Sequence, residues 1–172
     1  MSGNEQKYIQ EAFDTNWVVP LGPNVDGFEA DLQSFIAEDR QVVALSSGTA
    51  AVHLALIACG VEPGDEVCVQ SFTFCASSNP IKYIGANPIF IDSEEDTWNM
   101  DPDLLEKAIL DRIAKTGKKP KAIIPVALYG MPYDCERIMA IAEKYDLPVL
   151  ADAAEGRGSK YNGQRLGTFG RY

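Results

Sequence analysis

An α/β fold with a mostly parallel sheet and helices on both faces is predicted by three observations. Short apolar runs alternate with amphipathic helical patterns from Val42 to Ala151. Several of these runs stop at a turn or a carboxylate: Val42–Leu45 at Ser46-Ser47-Gly48, Pro88–Ile91 at Asp92, and Leu147–Ala151 at Asp152. The chain has 172 residues, 46% of them apolar, which suffices for one domain with a sizeable core. In such sheets ligands lie outside the carboxyl ends of the strands. That rule brings together Ser47-Gly48-Thr49, the Ser71–Phe74 loop and the stretch from Asp152 to Glu155.

Taken in order, Tyr8, Ile9, Ala12 and Phe13 have helical spacing and predict a helix over 5–14. Pro20, Gly22 and Pro23 make Trp17–Asn24 a loop, and Val25, Phe28, Leu32, Phe35 and Ile36 mark a second amphipathic helix. Residues 1–40 are thus a helical segment ahead of a domain spanning 41–172. Val42–Leu45 reads as a buried strand, Gly48–Ala58 as a largely buried helix, and Glu66–Gln70 as the next strand. Phe72–Ile84 is helical in its later part, and Pro88–Asp92 is a short strand. Asp101-Pro102 opens a helix with a cap residue and a first-turn proline, and Gly117 closes it. Lys121–Val126 reads as a strand in spite of Pro125, which is awkward in a central position. Ile138, Met139, Ile141 and Ala142 lie on a helix, Leu147–Ala151 on a strand, and Asn162-Gly163 turns a β-ribbon between Lys160 and Leu166.

The net charge of -10 argues against nucleic acid and an anionic membrane surface as partners. The polar N-terminus lacks a secretory apolar segment, and no apolar run is long enough to span a bilayer. Cys59, Cys68, Cys75 and Cys135 form no CxxC pair, which fits buried free thiols in a reducing cytosol. With His53 the one histidine, no metal site is expected. His53 itself, one turn after Thr49, reads first as a satisfied core residue. Arg157, Lys160, Arg165 and Arg171 form a basic cluster that suits either a nucleotide diphosphate or a solvated ribbon face.

The turn at Ser46–Thr49 leaves the first N–H groups of a helix unpaired, and with the helix dipole these make a site for a phosphate. Gly48 lets an anion approach the backbone and Thr49 adds a hydroxyl. A plain N-cap by Ser46 or Ser47 accounts for the same residues. Neither GxGxxG nor GxxxxGK[ST] is present. A phosphate cup, an aromatic (Phe74) and an acid at a strand end (Asp152) match the needs of pyridoxal phosphate. The aromatic stacks on the ring, and the carboxylate keeps the pyridine nitrogen protonated, which makes the ring an electron sink. Taken singly, Phe74 also suits a core and Asp152 a helix cap or a loop salt bridge.

The segments SSGTAAVHLAL, PGDEVCVQSFTFCASSNPI, GANPIFID, DTWNMDP, AIIPVALYGMPYD and DAAEGRGSKYNGQRLGTFG, in this order, resemble the DegT/StrS-type nucleotide-sugar aminotransferases. GPNVDGFEADL is similar to that family's N-terminal segment. The resemblance implies the large domain of a fold type I aminotransferase, truncated before the small domain, with pyridoxal 5'-phosphate as cofactor and a cytoplasmic homodimer. It places Gly48, Thr49 and Ala50 at the cofactor phosphate, Phe74 and Ala154 on the two ring faces, and Asp152 at the pyridine nitrogen. Glu155 falls near the phenolic oxygen, where relatives often carry glutamine or histidine; an ionised carboxylate cannot donate there. Ala127 stands where many relatives have histidine.

The resemblance also implies a Schiff-base lysine on a segment following GTFG, beyond Tyr172, so no catalytic residue of that kind is expected in this chain, and the isolated chain is expected to be inactive. The implied reaction moves an amino group from a donor such as glutamate to a keto-sugar carried on a nucleotide. Two alternatives stand beside it. One is a related dehydratase, with histidine in place of the lysine, and the other is a non-catalytic α/β module that keeps the cup for an anion or cofactor.

Overall fold

The computed structural model describes residues 1–37 and 39–172; Glu38, within the expected 1–40 helical segment, lies outside the described residues. Strand β1 (Glu66–Gln70) is the middle of a three-stranded parallel sheet, flanked by β2 (Asn87–Ile91) and β3 (Ala122–Ile124). Val67 lies opposite Pro88 and Ala122, and Val69 opposite Phe90 and Ile124. Successive side chains on a strand point to opposite faces. Val67, Val69, Ala122 and Ile124 therefore join one core with Leu56 of α3 (Gly48–Ala58) and Ile81 of α4 (Asn79–Tyr83). Cys68 and Ile123 join the other, with Leu105 and Ile109 of α5 (Pro102–Thr116) and Ile138 of α6 (Cys135–Lys144). The predicted arrangement, a parallel sheet covered by helices on both faces, is present.

Local chemistry explains the helix ends. Asp101 Oδ1 accepts the N–H groups of Asp103 (2.7 Å) and Leu104 (3.1 Å), Pro102 needs no acceptor in the first turn, and Gly117 ends α5 at φ +71°. Asp134 caps α6 through the N–H of Arg137 at 3.1 Å. Arg112 of α5 grips Glu66 by two bonds of 2.9 and 2.7 Å, tying that helix to the start of β1.

Several expectations are corrected. Val42–Leu45 forms no strand, because a strand exists through the ladder of a neighbour, and among the described residues no segment pairs with it. Leu147–Ala151 and the Asp152 that follows it make only isolated parallel bridges, Ile123 to Val149 and Val126 to Asp152. Pro125 sits between the two bridges and has no N–H to give, so β3 stops at Ile124. Helix α2 (Pro23–Ile36) begins inside the expected loop, with Pro23 in its first turn. The later part of Phe72–Ile84 divides into a 3-10 turn at Cys75–Ser77 followed by α4. Of the cysteines, Cys68 and Cys135 are buried, but Cys59 is half-buried and Cys75 exposed. The ribbon forms as β4 (Lys160–Tyr161) and β5 (Gln164–Arg165), turned by Asn162 at φ +47° and Gly163 at φ +85°.

The chain divides into two compact units, Met1–Ala44 and Leu45–Tyr172. The first holds α1 (Glu5–Asp14) and α2, neither with a buried residue. The second holds the sheet and both cores. Among the described residues, no helix is long and apolar enough to cross a membrane, and no group of side chains could hold a metal ion.

Candidate functional site

The second unit opens a hollow of about 150 Å³, lined among others by Gly48, Phe74, Ser77, Asp152, Ala154 and Glu155. Each wall comes from a different stretch of chain. Helix α3 starts at Gly48, the loop after β1 supplies Thr73 and Phe74, the end of the β3 segment supplies Val126 and Leu128, and the run after the fourth parallel segment supplies Asp152 to Glu155. The walls after β1, β3 and the Leu147–Ala151 run lie at the carboxyl ends of parallel segments, where ligand sites of this fold class belong. The start of α3 follows a stretch with no strand.

Asp152 is held on both sides. Its backbone N–H donates to Pro125 O at 3.0 Å, and its carbonyl accepts from Ala127 N–H at 3.0 Å. Its carboxylate accepts from Ser77 Oγ at 2.7 Å through Oδ2 and from Ala154 N–H at 3.2 Å through Oδ1. Phe74 is 73% exposed, so the hollow is open on its side. Close packing continues just behind Glu155: a Cβ on Gly156 would meet Ala127 Cβ at 2.8 Å and Leu166 Cδ1 at 2.9 Å. Only glycine fits there.

At the other end, Ser47 caps α3, its Oγ accepting the N–H of Ala50 at 3.2 Å. The cap uses the Ala50 N–H and leaves the start of the same turn open. Among the described residues, the N–H groups of Gly48 and Thr49 have no acceptor, and a Cβ on Gly48 would meet nothing within 4 Å. That leaves two donors, the dipole and free space for an anion. Of the seven residues singled out in the sequence, Gly48, Phe74, Asp152, Ala154 and Glu155 line the hollow. Thr49 and Ala50 lie beside it in the first turn of α3, and the N–H of Ala50 is taken by the cap. Glu155 Oε2 accepts the N–H of Tyr129, so that oxygen is already engaged. His53 makes an edge contact with the Tyr83 ring at 5.9 Å and does not line the hollow. Lys160 is exposed on the ribbon, and none of the four residues of its basic cluster lines the hollow.

Sequence reasoning missed what supports these walls. Gln70 and Asn99, both fully buried, form an amide pair behind the loops. Gln70 Nε2 donates to Phe72 O (2.9 Å) and to Asn99 Oδ1 (3.4 Å), while Gln70 Oε1 accepts from Met100 N–H (2.9 Å) and Val126 N–H (3.4 Å). Asn99 also accepts from Leu128 N–H at 3.1 Å and donates to Met131 O at 2.9 Å. Three loops are thereby joined through two side chains with every polar atom used. Trp98 (φ +64°) and Tyr129 (φ +53°), both non-glycine residues in left-handed backbone, flank this pair, and the Phe72 ring makes edge contacts with each. Nearby in the core, burial pushes the Cys68 thiol up from 9.0 to about 12, with Glu66 adding to the effect, so it stays protonated and inert.

The profile of the DegT/DnrJ/EryC1/StrS aminotransferase family matches residues 1–172. This chain belongs to that family. EpsN of Bacillus subtilis (strain 168), provisionally named a pyridoxal phosphate-dependent aminotransferase, is 50% identical over 172 residues, covering 100% of this chain and 44% of that protein. GDP-perosamine synthase of Escherichia coli O157:H7 is 42% identical over 173 residues, covering 99% and 44% respectively. The crystal structure of a DegT DnrJ EryC1 StrS aminotransferase from Brucella abortus superposes with a TM-score of 0.90 at 37% identity, covering 96% of this chain and 44% of that one. The chain spans 44% of the length of these curated relatives. It is homologous to pyridoxal phosphate-dependent sugar aminotransferases and has the N-terminal portion of their large domain.

Proposed function

We propose that this chain is part of a pyridoxal phosphate-dependent aminotransferase that moves an amino group, from glutamate, to a keto-sugar carried on a nucleotide. In this reading residues 1–40 are an N-terminal helical segment and 41–172 the first part of the cofactor-binding large domain. The enzyme works as a cytoplasmic homodimer. The observation that carries the reading is the single hollow shared by the start of α3 and the carboxylate of Asp152, in a chain of this family.

The residues present fit the cofactor. Gly48 and Thr49 offer two free N–H groups and a hydroxyl to its phosphate, with open space before them. Asp152 has an oriented carboxylate, fixed from behind by Ser77 and Ala154, to keep a proton on a pyridine nitrogen. Phe74 and Ala154 line the same hollow and suit the two faces of a flat ring. When bound, pyridoxal phosphate supplies an electron-withdrawing ring and a carbonyl that exchanges with amines. Glu155, tied to Tyr129 N–H, serves as an acceptor at the rim rather than as a donor to a phenolate. Among the described residues, no lysine lines the hollow.

The test uses the full-length protein loaded with pyridoxal phosphate. Adding glutamate should convert the cofactor to its amine form, seen by absorption, and a nucleotide-linked keto-sugar should return it. Asp152→Asn should slow both half-reactions by at least tenfold while the far-ultraviolet circular dichroism is kept. No cofactor retained after dialysis, or normal rates in Asp152→Asn, would overturn the assignment.

A further inference from the structure

Ser77 is 2% exposed and sits in the 3-10 turn Cys75–Ser77, 75 positions before the acid it touches. Its Oγ lies 2.7 Å from Asp152 Oδ2 and 3.0 Å from Thr73 Oγ1. Proton counting sets the direction of both bonds. An ionised carboxylate only accepts, so the one hydroxyl proton of Ser77 is committed to Asp152. Ser77 can then only accept from Thr73. The donors run one way, from Thr73 Oγ1–H to Ser77 Oγ–H to Asp152 Oδ2. With Ala154 N–H on Oδ1 at 3.2 Å, each carboxylate oxygen has one bond on the protein side and keeps lone pairs for the hollow.

We propose that Thr73 and Ser77 are positioning residues that hold the Asp152 carboxylate against the pyridine nitrogen of bound pyridoxal or pyridoxamine phosphate. The inference rests on the cofactor reading above. A buried serine needs a partner whatever its role, so a loss of stability on its removal distinguishes nothing. A positioning role makes a separate demand: the protonation of the bound ring must depend on a hydroxyl that acts through the Asp152 carboxylate it bonds. Orientation is what the relay supplies, because a carboxylate freed on one side can turn about its terminal torsion. A proton held by a turned carboxylate is held less well.

The experiment uses the full-length protein and pyridoxamine phosphate, whose binding needs no covalent link to a lysine. Two quantities are read: the dissociation constant, and the pH at which the bound pyridine nitrogen loses its proton, followed by absorption. Ser77→Ala should weaken binding roughly three- to tenfold and move the deprotonation to lower pH. Thr73→Val should shift both in the same direction by less, and Ser77→Thr, which keeps the hydroxyl, should restore both. A Ser77→Ala protein with wild-type affinity and pH midpoint, changed only in its unfolding temperature, overturns the proposal. So does a folded Ser77→Thr protein that behaves like Ser77→Ala. If Ser77→Ala does not fold, Thr73→Val at a half-buried position carries the test, and an unmoved midpoint there overturns it. Asp152→Asn separates the two levels. If it changes affinity and midpoint while Ser77→Ala does not, the relay alone fails; if it changes neither, the cofactor reading fails.

Discussion

The two units of this chain handle apolar side chains in opposite ways. In Leu45–Tyr172, helices α5 and α6 bury their apolar stripes against the sheet, with Leu105, Ile109 and Ile138 wholly removed from solvent. In Met1–Ala44, α1 and α2 have the same kind of stripe, yet Ile9, Phe13 and Phe28 remain exposed. The caps differ in parallel. Asp101 and Asp134 take helix N–H groups with their side chains, whereas neither α1 nor α2 has a side-chain cap bond. An amphipathic pattern states which face of a helix could be buried, and only the surrounding chain decides whether it is.

This contrast can be broken by experiment. The largest effect should come from Ile109→Ala, which opens a cavity under the sheet and should cost roughly 2–5 kcal/mol; Phe13→Ala should cost no more than about 0.5 kcal/mol. Denaturant unfolding of the 172-residue chain measures both, and equal losses would erase the distinction. A second contrast lies in alkali. The Cys68 thiol titrates near 9.0 when unfolded and about 12 when folded, so the native state keeps a proton that the unfolded state gives up. The resulting stability is complete below pH 9.0 and is lost as pH rises towards 12, by roughly 1.4 kcal/mol per unit at most. Burial also pushes up the Cys135 thiol and the Tyr133 hydroxyl, so three groups of the second unit tilt the same way. Cys68→Ala should flatten the alkaline limb of stability against pH; an unchanged slope would refute the linkage. Smaller still, Asp101→Ala should cost about 1 kcal/mol through loss of the α5 cap, while Asn4→Ala ahead of α1 should cost almost nothing. Amide exchange sharpens the same contrast without mutation: β1 and β3 should protect their N–H groups longest and α1 least.

How much could be read in advance follows from the range of each interaction. Asp101-Pro102 and Gly117 mark α5 because caps act within one turn, and Asn162-Gly163 marks the ribbon because both residues tolerate positive φ. Val42–Leu45 looked like a strand by composition alone, but pairing needs a neighbour that composition does not contain. At the site, Gly48, Phe74 and Asp152 stood out through their chemistry. Ser77 did not, since nothing in Ala76-Ser77-Ser78-Asn79 sets it apart from Ser78. The one available signal was a second hydroxyl residue close by, Thr73, which the bend before the Cys75–Ser77 turn brings to 3.0 Å. Gln70 and Asn99 escaped for a related reason. A polar residue at the end of an apolar run looks like the start of a loop, and its buried role emerges only when three loops meet on it.

The proline at position 125 has a consequence for Asp152. It ends β3 early, yet its carbonyl still receives the N–H of Asp152, and Ala127 clasps the acid's own carbonyl one step later. The backbone that carries the carboxylate is therefore clasped at both its N–H and its carbonyl. A backbone pinned at both ends leaves adjustment to the side chains and to the open rim opposite it.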